Sequence, residues 1–86
     1  MAKISTMVIV LNNRVDTAPK VQSILTNHGC NIKARLGLHE GTEDKCTNYG
    51  VIFLQLAGDE ESHNALEKEL NEVPGTKAKL VQIDLE

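Results

Sequence analysis

Across 86 residues the hydrophobic period switches between two and about 3.6 in one order: strand, helix, strand, strand, helix, strand. Few folds accommodate that order in so short a chain. The run ISTMVIVL, Ile4 to Leu11, is β-branched and becomes apolar on both alternating faces, as a central strand covered on each side should be. NNRVDT follows as a turn, where Asp16 or Thr17 can cap a helix whose first turn tolerates Pro19, since no backbone donor is needed there. Ala18, Val21, Ile24 and Leu25 recur at helical spacing to about Asn27, and Gly29 is expected to close the helix in the left-handed conformation that glycine adopts readily.

From Ile32 to His39 the chain alternates, with Ile32, Ala34, Leu36 and Leu38 on one face and Lys33, Arg35, Gly37 and His39 on the other. After the segment 40–48, YGVIFLQLA is a second apolar strand, with Ile52, Leu54 and Leu56 on one face and Val51 and Phe53 on the other. Asp59 is a good N-cap, Glu60 and Glu61 suit the positive end of a helix dipole, and Leu66, Leu70 and Val73 form a stripe that Pro74 and Gly75 end. A last strand covers Lys77 to Leu85.

This order is the ferredoxin-like split βαβ arrangement, α+β, as a single domain over residues 1–86. Right-handed crossovers put both helices on one face of a four-stranded antiparallel sheet, with the first and third strands in the middle. Those strands then present Met7, Ile9 and Leu11, or their even-numbered neighbours, with Val51 and Phe53 on the helix-free face. Such a face is costly to leave in water, so the sequence predicts a homo-oligomer, dimer or tetramer, joined through it.

A chain of this size buries only about 60 to 65% of its unfolded surface, which makes help from a partner subunit plausible. Nine basic against twelve acidic side chains give a formal charge of −3, with no basic stripe for a phosphate backbone, and no direct nucleic-acid binding is expected of this chain alone. One Phe, one Tyr and no Trp leave no stacking platform for single strands. MAKISTMV lacks the apolar run of a signal peptide and no segment approaches the roughly 20 apolar residues of a membrane span, so a cytoplasmic protein without membrane attachment is expected. Cys30 and Cys46 are then read as thiols, with a single disulfide as the alternative.

The nine residues Glu40 to Asn48 are longer than the two to five that usually join paired strands, and long connections tend to be functional or mobile. With His39 at its entrance the loop carries Glu40, Glu43, Asp44 and Cys46. The ligand-binding candidates are therefore His39, Glu40, Cys46 and Arg35. Imidazole plus thiolate at His39 and Cys46 suits a divalent metal such as nickel or zinc, with His28 as a further ligand if a neighbouring subunit completes the shell. The plainer reading makes His39 a solvated strand-end residue, His28 a partly buried imidazole near its helix end, His63 a bland helix residue, and Cys30 a small apolar group at the start of its strand. No nucleophile, base and orienter can be assembled from spacing, and no glycine-rich phosphate loop follows the first strand, so a non-enzymatic role is expected.

The strings VIVLNNRVDTAPKVQSILTNHGCNIKARLGLHEG and YGVIFLQLAGDEESHNALEKELNEVPGTKAKL resemble the iron-only hydrogenase system regulators, an ACT-like family of small stand-alone proteins. The resemblance is carried by the NxRxDxAxKVxxIL helix entry, the RLGL strand, the GVIFLxLxGD strand end and the LxxxLxxVPGTKAK close. It implies an oligomeric, non-enzymatic, ferredoxin-like regulator. The chain is also similar, more distantly, to the C-terminal nickel-sensing domain of nickel-responsive repressors, which closes tetramers around metal sites. There His39 matches the second histidine of an HxH pair and Cys46 falls one position from the loop cysteine. Gly37 replaces the first histidine of the pair, Thr26 replaces the helix histidine with His28 two places on, and no DNA-binding segment is present. Amino-acid-binding ACT domains share the fold and the turn seen here as Gly29, Cys30, Asn31 and Ile32, whereas Asp16, Thr17, Ala18 and Pro19 stand where their effector-site glycine would be.

Overall fold

The first strand is the axis of the molecule. In the computed structural model, which describes residues 3–12, 14–39 and 49–85, β1 (Lys3–Asn12) lies between β3 (Tyr49–Leu56) and β4 (Thr76–Asp84). β2 (Ile32–His39) completes the sheet on the far side of β3, giving the order β2-β3-β1-β4 with every pairing antiparallel. α1 (Arg14–Asn27) and α2 (Glu60–Asn71) connect the strands, and both pack on one face of the sheet. This is the ferredoxin-like βαββαβ fold.

The register decides which residues are dry. Met7 stands opposite Leu54 and Ile9 opposite Ile52, so the odd residues of β1 share a face with the even residues of β3. Val21 and Leu25 of α1 and Leu66 and Leu70 of α2 close over them in one buried cluster that also takes in Leu11 and Leu56. Of the two β1 faces left open by the sequence, the odd residues are therefore the core and the even residues face away from the helices. Asp59 caps α2 by accepting the Ser62 N–H at 2.9 Å. The chain leaves the helix through Gly75, whose φ of +85° disfavours any side chain and whose carbonyl accepts the Asn12 N–H.

Four expectations need correction. α1 begins at Arg14, ahead of the cap expected at Asp16 or Thr17, and Pro19 lies inside it. Thr17 is a buried helix residue whose hydroxyl reaches back 3.2 Å to the Asn12 carbonyl, tying the early helical turn to the end of β1. In β2 the simple alternation is broken by a register shift between Ile32 and Ala34: Ile32 packs against the core, whereas Leu36 stands opposite Phe53 on the helix-free face, 58% exposed. One residue of slip exchanges the faces of everything that follows. Gly29 is not left-handed, the positive-φ glycines among the described residues being Gly58 and Gly75; it opens a short 3-10 turn, Gly29–Asn31, that precedes the strand. Cys30 is exposed in that turn.

That turn is bound to the far end of β3. The Ala57 N–H donates to the Asn31 carbonyl at 2.8 Å, and the Asn31 amide donates back to the Ala57 carbonyl at 3.2 Å. Gly58 follows with φ +91°, a conformation that side chains rarely adopt, and a Cβ there would push the Asn31 amide off the Ala57 carbonyl.

Candidate functional site

The helix-free face is made by the even residues of β1 and what stands beside them. Val8 lies between Phe53 and Lys79, and Val10 between Val51 and Lys77. Farther along β4, Val81 and Ile83 stand opposite Thr6 and Ile4 and are exposed, as is Leu36 beside Phe53 on the other edge. The face thus divides along β1. Its β2–β3 half is apolar at Leu36, Val51 and Phe53, with Gln55 as a polar member, whereas its β4 half adds two ammonium groups, neither of which has an acidic partner among the described residues.

Among the described residues, two hollows lie on the β4 half. One, about 310 Å³, sits at the end of the sheet and is lined by Val10, Asn12, Tyr49, Gly75 and Lys77. The other, about 420 Å³, continues from Val10 and Lys77 toward Val8, Lys79 and Val81 and reaches the strand edge at Asn71 and Ala78. Each has the size of a small-molecule site, which typically runs from about 300 to 1,000 Å³. Tyr49 is the first residue after the 40–48 segment and pairs with Asn12, so the smaller hollow lies at the end of the sheet where that segment joins β3.

The outer edge of β4 is occupied by side chains of α2. Asn71 behaves as a surrogate strand: its amide donates to the Ala78 carbonyl at 3.0 Å while its oxygen accepts the Ala78 N–H at 2.8 Å. Glu67 accepts the Leu80 N–H at 2.7 Å. These contacts satisfy backbone groups that would otherwise invite another strand, so this stretch of edge is closed to sheet extension.

The residues singled out in the sequence are scattered. Arg35 donates to Gln22 of α1 at 2.7 Å, which places it on the helix side of β2 and away from the open face. His39 has its backbone opposite Gly50 at the same sheet end as Tyr49. Glu40, Glu43, Asp44 and Cys46 lie outside the described residues. His28 is held by α2, its Nε2 donating to Glu69 at 2.7 Å, and is partly buried at its helix end. His63 is buried: its Nε2 donates to the Ala57 carbonyl at 2.7 Å, which fixes the proton on that nitrogen because a carbonyl only accepts. Its Nδ1 is buried without a partner among the described residues. No group of three or more His, Cys, Asp or Glu able to hold a metal ion occurs among the described residues.

Sequence reasoning missed Lys77 and Lys79. Their signal was present in TKAKLVQI, where alternation puts both lysines on one face with Val81 and Ile83. The roles of Asn71 and Glu67 needed the structure, since only tertiary packing brings that side of α2 against β4. No helix among the described residues is long and apolar enough to cross a membrane.

No family model matches the chain, and no curated protein matches it. Among solved structures, it is similar to an uncharacterized protein from Thermotoga maritima, with 26% identity and a TM-score of 0.81 over 96% of this chain and 100% of that one. The ACT domain of a GTP pyrophosphokinase from Chlorobium tepidum aligns with 12% identity and a TM-score of 0.69, over 91% and 96% of the two chains. A nitrogen regulatory PII-like protein from Thiomonas intermedia aligns in its apo form with 12% identity and a TM-score of 0.67, over 95% and 90%. The same protein bound to ADP, AMP and bicarbonate gives 12% identity and a TM-score of 0.60, over 96% and 92%. The fold of this chain is therefore the one shared by ACT and PII-like domains.

Proposed function

We propose that this chain is a non-enzymatic regulatory module of the iron-only hydrogenase system regulator type, working as a homo-oligomer and sensing a small ligand at the end of its sheet. The observation that carries the reading is the helix-free face, where Val8, Val10, Leu36, Val51 and Phe53 form a continuous apolar surface while the neighbouring β4 edge is closed by Asn71 and Glu67. A second copy covers the apolar β2–β3 half, since burying that surface is favourable by roughly 25 cal/mol per Å². The ligand occupies the sheet end beside Asn12, Tyr49 and Lys77, where β2 passes His39 into the segment carrying Glu40 and Cys46. Support for a ligand comes from the similarity in fold to a PII-like protein solved with ADP, AMP and bicarbonate and to an ACT domain of a larger enzyme.

Two measurements test this. Light scattering over a concentration series should report a dimer or larger, and a monomer persisting to high concentration overturns the association. Thermal melts should then be run against a panel of adenine nucleotides, amino acids, nickel and zinc. A ligand specific for the native state stabilises it by about 2.7 kcal/mol at 100 times its Kd. A shift with nickel or zinc that His39→Ala and Cys46→Ser abolish would assign the ligand as a metal. A shift with no member of the panel leaves a protein-interaction module and removes the sensing role.

A further inference from the structure

We propose that the β4 half of the open face is an anion-selective groove, taking a small organic anion with an apolar body. The proposal rests on the small-ligand reading above and specifies the chemistry of the ligand. Val8 and Val10 form the apolar floor, Tyr49 and Asn12 stand at the sheet end, and Lys77 and Lys79 project from the same face of β4. The two hollows share Val10 and Lys77 in their lining, so they adjoin on one face of the sheet.

Charge selects the occupant. The chain carries a formal −3, yet its β4 half presents two ammonium groups without a carboxylate partner among the described residues. Lysines two apart on a strand lie roughly 7 Å from one another, close enough for one anionic group to feel both within a Debye length of about 10 Å at 0.1 M salt. Their aliphatic stems extend the apolar floor while the charged ends remain at its rim. An occupant matching both features has a flat or aliphatic body against Val8 and Val10 and a carboxylate, sulfonate or phosphate at the lysines. A neutral apolar molecule would satisfy the floor and leave the cations unanswered.

The test compares two fluorescent probes that share one apolar body, 1-anilinonaphthalene-8-sulfonate and the neutral N-phenyl-1-naphthylamine. Titrated into the intact protein, the sulfonate should bind at least about tenfold more tightly than the neutral probe. Raising salt from 0.05 to 0.5 M should weaken only the sulfonate. The double variant K77Q/K79Q should lose the preference, whereas Lys33→Gln on the opposite edge strand should keep it, with circular dichroism melts checking that both variants fold. Equal affinity for the two probes, or a preference that survives K77Q/K79Q, overturns the anion assignment while leaving a small-ligand groove in place. Binding of neither probe overturns the groove and the ligand site with it.

Discussion

On one face of the sheet Met7, Ile9, Ile52 and Leu54 lie buried beneath two helices, while on the other Val8, Val10, Val51 and Phe53, one residue along the same strands, are left half-buried or exposed. Composition does not separate the two sets. What separates them is where the chain runs after each central strand: α1 follows β1, α2 follows β3, and both crossovers fall on the same side, so one face is completed within the chain and the other is not. Burial within the covered face contributes folding stability directly, whereas the open face can contribute only when something docks on it. An isolated subunit therefore has a thinner core than its apolar content suggests.

The sharpest way to break this comparison is to truncate matched residues on the two faces. Leu66→Ala, in the covered core, should destabilise by about 2 to 5 kcal/mol through lost burial and a residual cavity. Val8→Ala on the open face should cost only about 0.5 kcal/mol in a dilute monomer. Urea denaturation at low and high protein concentration checks both. Equal losses at low concentration would mean that the open face is already covered within the subunit.

Next in size is a charge on the open face. Phe53→Asp should dissociate the homo-oligomer proposed above while the monomer keeps its circular dichroism spectrum, because an unpaired carboxylate in a dry interface costs on the order of 2 kcal/mol or more. Sedimentation velocity decides it, and an assembly that survives the substitution moves the interface elsewhere.

How much of this could be read from residues alone depends on the kind of contact. The order of elements, the central position of β1 and β3, the Asp59 cap and the free face with Val51 and Phe53 all follow from local period and connection rules. The face of β2 did not follow, because Ile32 to Leu38 alternates without interruption and the shift after Ile32 leaves no trace in the pattern. Nor did the start of α1, since Pro19 suggested a first turn whereas Thr17 bonding to Asn12 draws the helix back toward β1. For the site, the loop directs attention to the sheet end that also carries Asn12 and Tyr49, whereas Arg35 belongs to the helix side and His28 to a contact with α2. The chemistry of the open face resides in Lys77 and Lys79, two residues that look like ordinary solvated lysines until the register sets them beside Val8 and Val10.

A smaller effect is expected at the β4 edge. Asn71→Ala removes both surrogate bonds to Ala78 and should cost about 1 kcal/mol, since water can replace part of what is lost at an exposed edge. It should also leave the strand open to pairing. Slower-migrating species on size exclusion would be absent and faster, larger ones present. If the variant is as stable and as well dispersed as the parent, the α2 contacts do not guard this edge.

The smallest expected effect is at the cap of α2, and it is read through pH. The Asp59 carboxylate accepts from the side chain and backbone N–H of Ser62, which holds its pKa below the ordinary value of 3.8. Because the folded value is depressed, the contribution is fully present above 3.8, where the unfolded carboxyl is also ionised, and it is lost as pH falls through the folded value. Asp59→Asn keeps a side-chain oxygen for the Ser62 N–H but has no proton to gain, so the cap survives and its titration does not. Melting temperatures of the parent and the variant should therefore converge as pH is lowered past that window and differ most near neutrality, with the parent higher. A constant difference at every pH would show that the carboxylate charge, as opposed to the hydrogen bond, contributes nothing to holding the start of α2 at the end of β3.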